Sequence, residues 1–173
     1  YAHIAKANAV YDRQSDNSTY GIAENTGLMI EQEFICKEVS MDAIQVKCQV
    51  QQAGEGHVTL TLTDMESGKT VASSTKALSE IENGKWNTFS FETVENCKGK
   101  TYQMILEGET LTCFAQQGIQ PETELSVNGA KQDGTLLMKT VTKRFDIETF
   151  GVFLILVLYV YFFFRFLKRL FSR

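Results

Sequence analysis

The sequence predicts an all-β protein, an antiparallel β-sandwich, followed by one C-terminal transmembrane α-helix. Three observations support this prediction. Apolar and polar residues alternate along most of residues 27–142, glycine-containing turn signals separate the alternating runs, and a long uncharged apolar run lies near the C-terminus. Alternation with a period of two is typical of half-buried strands, because successive side chains of a strand point to opposite faces.

Each strand is predicted from its own alternation. In the second strand, Ile44, Val46 and Cys48 share one face, and polar residues occupy the positions between them. Asn-Gly, Lys-Gly and Asp-Gly pairs mark turns between the runs. The strands are predicted at residues 28–36, 42–51, 57–63, 69–77, 86–93, 101–107, 111–116 and 123–141, the last of them broken near residues 128–134. Short strands at this spacing indicate a two-sheet sandwich, and about 115 residues suffice for one such core.

The N-terminal part shows no such pattern. Residues 1–26 are polar and mixed in composition, so they are predicted to form a linker or lead-in segment before the extracytoplasmic β-sandwich of residues 27–142. The chain begins with Tyr1 rather than methionine, and an exterior domain needs an export signal, so we expect further sequence upstream.

The uncharged run from Thr149 to Phe164 predicts a transmembrane helix, which the flanking apolar residues extend to residues 145–167. The run itself would extend roughly 24 Å as a helix, and the flanks bring it closer to the roughly 30 Å of a bilayer core. A helix that is apolar on every side could also be buried in a soluble protein, but the rest of the chain predicts no helical partners for it.

Charge predicts the orientation of this helix. The whole chain carries −4 and the last nine residues carry +4, so residues 1–164 carry −8. The positive-inside rule therefore places the basic tail, residues 168–173, in the cytoplasm and the sandwich outside the cell membrane. Membrane lipid is the expected partner of residues 145–173, since basic residues near a bilayer attract anionic headgroups. The acidic exterior part argues against nucleic acid as a partner.

The order of strand and turn motifs resembles a known class of modules. Glu31-Gln32-Glu33-Phe34 precedes an Ile-x-Val-x-Cys-x-Val strand, a Gly-x-Val-x-Leu-x-Leu strand and an Asn-Gly-Lys-Trp-Asn-Thr-Phe-Ser-Phe stretch. Over about residues 27–141 this order is similar to that of extracytoplasmic jelly-roll modules, galactose-binding-like β-sandwiches of bacterial membrane proteins linked to surface polysaccharide. The resemblance implies that the sandwich is of jelly-roll type. It also implies that the tryptophan at the start of its strand is a packing residue.

Trp86, Tyr102 and Asp64 are the candidate ligand-binding residues. An aromatic ring can cover the apolar face of a pyranose, while a carboxylate binds the sugar hydroxyls. The competing prediction, which we favour, packs Trp86 in the core against Phe89 or Phe91. The three-residue spacing to Phe89 nevertheless places the two rings on opposite faces of a regular strand.

The four cysteines are candidates for disulfides if the sandwich lies outside the cytoplasm. They are Cys36, Cys48, Cys97 and Cys113. Four cysteines allow three connectivities, and the sequence does not choose among them. The alternative is that Cys48 and Cys113 are buried as small apolar residues. The spacings match no zinc pattern.

No cofactor is predicted, apart from a structural calcium of the kind that galactose-binding-like modules often hold. Asp64 and Glu66 in one tight turn, with Glu92 and Glu95 near the next hairpin, would be its ligands, although solvated acids are the favoured interpretation. The sequence contains no nucleophile-elbow, zinc-protease or P-loop motif, so no enzymatic activity is predicted.

Together these features predict a membrane-anchored, non-catalytic extracytoplasmic binding or accessory module of the cell envelope. Its expected partner is a polysaccharide or another envelope membrane protein. The alternative is the last exterior domain and helix of a polytopic transferase or transporter of surface polysaccharide. A eukaryotic lumenal sandwich of the cargo-receptor type would also end in a helix and a short tail, but the sequence shows no long coiled coil before the helix.

Overall fold

The computed structural model describes residues 3–14, 18–24, 27–51, 54–145 and 147–171. Contacts within the chain divide it into two units. The larger unit, Lys6–Thr142, contains the β-sandwich. The other unit, formed by Tyr1–Ala5 and Lys143–Arg173, contains the helix.

The described residues form two antiparallel sheets. The strands are β1 (His3–Ala9), β2 (Thr19–Ala23), β3 (Leu28–Ile35), β4 (Ser40–Val50), β5 (His57–Asp64), β6 (Lys69–Ala77), β7 (Lys85–Glu95), β8 (Thr101–Gly108), β9 (Leu111–Gln117), β10 (Glu124–Val127), β11 (Ala130–Gln132), β12 (Gly134–Leu136) and β13 (Met138–Phe145). The seven-stranded sheet has the order β1-β13-β4-β9-β12, with β2 paired to β9 and β7 paired to β4. The six-stranded sheet has the order β11-β10-β3-β8-β5-β6. The predicted fold class, an antiparallel sandwich followed by one apolar helix, is confirmed.

The core lies between the two sheets and follows the alternation of the sequence. Along β3, Leu28, Ile30 and Phe34 are buried, while the residues between the inward-facing positions are half-buried. The same pattern buries Leu60 and Leu62 in β5. Each buried aliphatic or aromatic side chain of this kind contributes about 1.5–3 kcal/mol, so the two inner faces hold the sheets together.

One polar side chain in this core connects the two sheets. Gln32 of β3 is fully buried, and its Nε2 donates to the carbonyl oxygens of Glu33 at 2.9 Å and Glu124 at 3.0 Å. Its Oε1 accepts from the backbone N–H of Leu136 in β12 at 2.8 Å. A buried amide is tolerated because both of its ends are hydrogen-bonded. Gln32 therefore ties β12 of the seven-stranded sheet to β3 and β10 of the six-stranded sheet.

The segment expected to be a linker contributes two strands instead. Both β1 and β2 belong to the seven-stranded sheet, and the N–H of Val10, just after β1, donates to the carbonyl of Met138 at 3.1 Å. In β2 only Ile22 is buried. A five-residue strand with one buried apolar residue shows too little alternation to be recognised from sequence, so pairing with β9 rather than local pattern accounts for it.

The helix α1 runs from Ile147 to Phe171. Residues Phe150–Arg169 have a mean hydropathy of 2.3, and their side chains are not buried in the protein. These residues would span about 30 Å, the thickness of a bilayer core, so the helix is long and apolar enough to cross a membrane. It was predicted to begin at residue 145, but β13 continues to Phe145. Asp146 and the last two residues of the basic tail lie outside the described residues.

Candidate functional site: an aromatic and basic patch

Trp86 lies on the outer face of the seven-stranded sheet and is half-buried. Along β7, Asn87 and Phe89 are buried and face the interior, so alternation turns Trp86 outward. The prediction that Trp86 packs in the core is therefore wrong. Its odd spacing from Phe89 was the informative signal, because an odd number of residues reverses the face of a strand.

Trp86 is the centre of a cluster that we call the outer patch, formed by Tyr11, Trp86, Lys139, Lys47 and Phe114. The rings of Tyr11 and Trp86 stack with their centroids 5.8 Å apart and their planes at 15°. The Nζ of Lys139 lies 3.7 Å from the centroid of the Trp86 ring. Lys47 is directly opposite Trp86 across β4 and β7, and its Nζ lies 5.7 Å from the centroid of the Phe114 ring. Aromatic faces and ammonium groups thus share one surface.

The outer patch has a positive electrostatic character. Burial lowers the pKa of Lys139, and the nearby positive charge of Arg13 lowers this pKa further. Among the described residues, no carboxylate lies within 4.0 Å of Lys47, Lys139 or Arg13. These cations stand together on a chain whose net charge is −4. An anionic group bound at the outer patch would relieve their mutual repulsion and favour the charged form of Lys139.

A groove of about 530 Å³ shares Tyr11 with the outer patch. Its lining includes Arg13, which follows β1, Lys37 between β3 and β4, Thr140 of β13, and the turn of residues 120–123. The groove therefore adjoins the outer patch at Tyr11, and its lining carries charges of both signs, with Asp12 and Glu122 beside Arg13 and Lys37.

The turn that lines the groove holds a residue in an unfavourable conformation. The N–H of Thr123 donates to the carbonyl of Gln120 at 3.2 Å, which closes a turn with Pro121 and Glu122 at its centre. Glu122 has a φ of 63°, a left-handed conformation in which glycine or asparagine is preferred. Holding a residue other than glycine in this conformation costs about 1–3 kcal/mol.

Tyr102 and Asp64 lie elsewhere, in the six-stranded sheet, directly opposite each other across β8 and β5. Tyr102 is 1% exposed and packs against Phe34, so its ring cannot serve as a stacking surface. Burial raises its pKa. Asp64 caps its own turn, because its Oδ1 accepts from the backbone N–H groups of Glu66 at 2.9 Å and Ser67 at 3.2 Å. The structure brings these two candidates together, but not with Trp86.

The cysteines and the acids of the proposed calcium site also have defined places. All four cysteines are buried and carry thiols in this structure. Cys48 lies opposite Cys113 in the seven-stranded sheet, and the thiols of Cys36 and Cys97 are close enough for each to shift the pKa of the other. Within the described part of the chain, no three His, Cys, Asp or Glu residues come together as a metal ion would require.

Sequence reasoning identified one member of the outer patch and missed the other four. Tyr11 belongs to the segment that was interpreted as a linker. Lys47, Phe114 and Lys139 come from three different strands, and each occupies an outward position in its strand. Alternation along each strand could show that these side chains point outward. It could not show that they lie together, because that depends on which strands are neighbours in the sheet.

No protein-family model matches the chain, and no curated protein matches it. Among solved structures, a clostridial cysteine protease, Cwp84, after propeptide cleavage, is similar over 80% of this chain at 11% identity, with a TM-score of 0.52. A structure of infectious bursal disease virus, Gt strain, aligns with 82% of the chain at 12% identity and a TM-score of 0.24. The VP2 subviral particle of that virus aligns with 90% at 12% identity and a TM-score of 0.25. The chain spans 40%, 41% and 48% of these three chains, respectively. The similarity to the protease concerns the fold alone, an antiparallel β-sandwich.

Proposed function

We propose that the chain is a membrane-anchored, non-catalytic binding module of the cell envelope, whose sandwich lies outside the membrane and binds glycans that carry acidic groups. The observation that supports this proposal is the outer patch, where Tyr11 and Trp86 stack beside Lys139 and Lys47. The resemblance of the strand order to galactose-binding-like modules agrees with a sugar ligand.

The chemistry of the outer patch suits an acidic sugar better than a neutral one. An aromatic face contacts the apolar C–H face of a pyranose, and lysine binds carboxylate or phosphate groups. In the structure Lys139 covers the ring of Trp86, an interaction worth about 0.5–1 kcal/mol at an exposed site. A hydrogen bond to a charged group contributes about 1.5–3 kcal/mol. An acidic substituent would therefore draw the ammonium off the ring and expose the indole face to the sugar.

Calorimetric titration of the full chain in detergent micelles tests the proposal, with polygalacturonate as the acidic polymer and dextran as the neutral one. We expect saturable binding of the acidic polymer that weakens as salt is raised, since exposed charge interactions are screened. Trp86→Ala removes the stacking surface and should weaken binding about tenfold, equivalent to about 1.4 kcal/mol. Lys139→Ala should weaken binding and reduce its salt dependence.

Lys131→Ala is the matched control for charge. Lys131 lies on β11 of the six-stranded sheet, where it pairs with Glu124 at 2.8 Å, so its loss should leave the affinity unchanged. Circular dichroism confirms that each variant is folded. The proposal fails if the wild-type chain binds no acidic polymer, or if the folded Trp86→Ala variant binds as tightly as the wild type.

The orientation of the helix is a separate part of the proposal and needs its own test. Arg165, Lys168 and Arg169 near the end of α1 support a cytoplasmic C-terminus through the positive-inside rule. Tags at the two ends of the full chain can be probed with protease in intact cells and in inverted vesicles. We expect the N-terminal tag to be digested in intact cells and the C-terminal tag only in inverted vesicles. The reverse pattern would exclude an exterior binding role.

A further inference from the structure

Cys48 and Cys113 lie directly opposite each other on the neighbouring antiparallel strands β4 and β9. Further along the same ladder, the N–H of Gln51 donates to the carbonyl of Thr110 at 2.7 Å. The residues Gln51 and Thr110 therefore form a hydrogen-bonded pair. Hydrogen-bonded and non-hydrogen-bonded pairs alternate along an antiparallel ladder, and the pair Cys48 and Cys113 lies three positions from the pair Gln51 and Thr110. Cys48 and Cys113 therefore form a non-hydrogen-bonded pair. In that pair type the Cα atoms are about 4.5 Å apart and the side chains approach closely, which lies within the about 4.4–6.8 Å that a disulfide requires.

Cys36 and Cys97 form a second pair where the two sheets meet. Cys36 directly follows β3 of the six-stranded sheet, and Cys97 follows the end of β7 of the seven-stranded sheet. The N–H of Cys36 donates to the carbonyl of Lys100 at 3.0 Å, and the N–H of Gly99 donates to the carbonyl of Cys36 at 2.8 Å. These bonds hold the two segments side by side. Both side chains lie in the interior, where both residues are at most 1% exposed, and the two thiols are close enough for each to shift the pKa of the other.

We propose that the mature chain carries two disulfides, Cys36–Cys97 and Cys48–Cys113. The oxidising environment that this requires rests on the proposed function, which places the sandwich outside the cytoplasm. The oxidant is a disulfide donor, either an oxidised dithiol protein or a low-molecular-weight disulfide such as oxidised glutathione. One cysteine thiolate attacks the donor to give a mixed disulfide, and the second thiolate displaces the donor sulfur. For each bond, the two protein thiols give up two electrons and two protons, and the donor disulfide is reduced to two thiols.

The two bonds would act on different parts of the sandwich. Cys36–Cys97 would join the six-stranded sheet to the seven-stranded sheet, whereas Cys48–Cys113 would join two strands within the seven-stranded sheet. Burial raises the pKa of Cys36 to about 11 and also raises the pKa values of Cys97 and Cys113, so these three thiols are poor nucleophiles in the folded chain. The hydrogen bond from Cys113 lowers the pKa of Cys48, but the sulfur of Cys48 is buried like the other three and is closed to a disulfide donor. Exchange therefore has to occur during folding, before the two sheets close over the sulfur atoms.

The test is to denature and reduce the full chain and refold it into micelles with a mixture of oxidised and reduced glutathione. Remaining thiols are blocked with N-ethylmaleimide, and the protein is digested without reduction for mass spectrometry. We expect two linked peptide pairs, Cys36 with Cys97 and Cys48 with Cys113, and no blocked thiol. Adding a reductant should lower the melting temperature by about 10 °C or more. A variant with all four cysteines changed to alanine should show no such response.

Two double variants make the assignment specific. Cys36→Ala with Cys97→Ala should retain the link between Cys48 and Cys113, and Cys48→Ala with Cys113→Ala should retain the other link. Four blocked thiols after refolding, or links in another combination, would overturn the pairing. The same analysis of the full chain isolated from cell membranes, with thiols blocked in the intact cells, tests the location separately. Free thiols there, together with correct links in the refolded chain, would overturn the exterior placement in the proposed function while leaving the pairing intact.

Discussion

Replacing Gln32 with methionine tests whether the buried amide holds the two sheets together. Methionine has a similar length and fits an apolar core, but it cannot donate to the carbonyls of Glu33 and Glu124 or accept strongly from the N–H of Leu136. The change therefore removes three hydrogen bonds with little change in volume. Its effect on stability should report the polar contacts rather than a cavity.

The size of the effect follows from the register of β12. The N–H of Leu137 donates to the carbonyl of Phe114, so the adjacent position, Leu136, makes no ladder bond to β9 and points its N–H at Gln32. Without Gln32, this buried N–H has no acceptor, which costs about 1–3 kcal/mol, and the two lost bonds to carbonyls add about 0.5–1.5 kcal/mol each. Burial of the apolar thioether offsets part of this sum. We expect a net loss of about 2–4 kcal/mol, a large fraction of a typical total of about 5–15 kcal/mol.

Urea unfolding of the full chain in micelles measures this loss through the fluorescence of Trp86, the single tryptophan of the chain. The matched control is Gln103→Met, because Gln103 is opposite Glu33 on the same sheet but faces outward and is half-buried. It should change the free energy of unfolding by less than about 0.5 kcal/mol. If Gln32→Met is as stable as the control, the hydrogen bonds of this amide contribute nothing net and the reasoning is refuted.

Two further predictions concern the groove turn and the pH dependence of the reduced chain. Glu122→Gly should raise the free energy of unfolding by about 1 kcal/mol, because glycine adopts the φ of 63° without the steric cost that glutamate bears; an unchanged or lower stability in urea unfolding would show that the turn is unstrained. For the reduced chain, burial raises the pKa of Cys36 from 9.0 to about 11, so the folded state binds this proton more tightly than the unfolded state. The contribution of this thiol to the free energy of unfolding is fully present below about pH 9 and is lost as the pH rises to about 11. In the Cys36→Ala variant the melting temperature should therefore fall less steeply between these two pH values than in the wild type. Burial also raises the pKa values of Cys97 and Tyr102, so part of the slope should remain in the variant, and a slope identical to that of the wild type would contradict the assignment.

The strands between residues 28 and 117 were predictable because their signals are local, whereas the strand predicted at residues 123–141 with one break is four strands, β10 to β13. Alternation of neighbours reveals a half-buried strand, and turn residues such as Asn-Gly mark its end. The apolar run at the C-terminus identified α1 for the same reason. The strands β1 and β2 were not predicted, because their short segments of mixed composition show little alternation and form strands by pairing with β13 and β9.

The candidate site could be predicted only in part from local sequence signals. The spacing between Trp86 and Phe89 was sufficient to predict that the indole points outward. It did not show that Tyr11 and Lys139 would pack against the indole ring. Asp64 and Tyr102 carried suitable functional groups and were placed by the fold in a capped turn and in the core.

The sequence by itself determined the secondary structure of most of the sandwich, the apolar C-terminal helix and the presence of four cysteines. Only the tertiary structure decided which cysteine lies opposite which, which face of the sheet is basic and aromatic, and which buried amide spans the two sheets. The physical reason is that strand neighbours are selected by hydrogen bonding and packing between segments far apart in the chain. A one-residue change of register would move every one of these side chains to the other face.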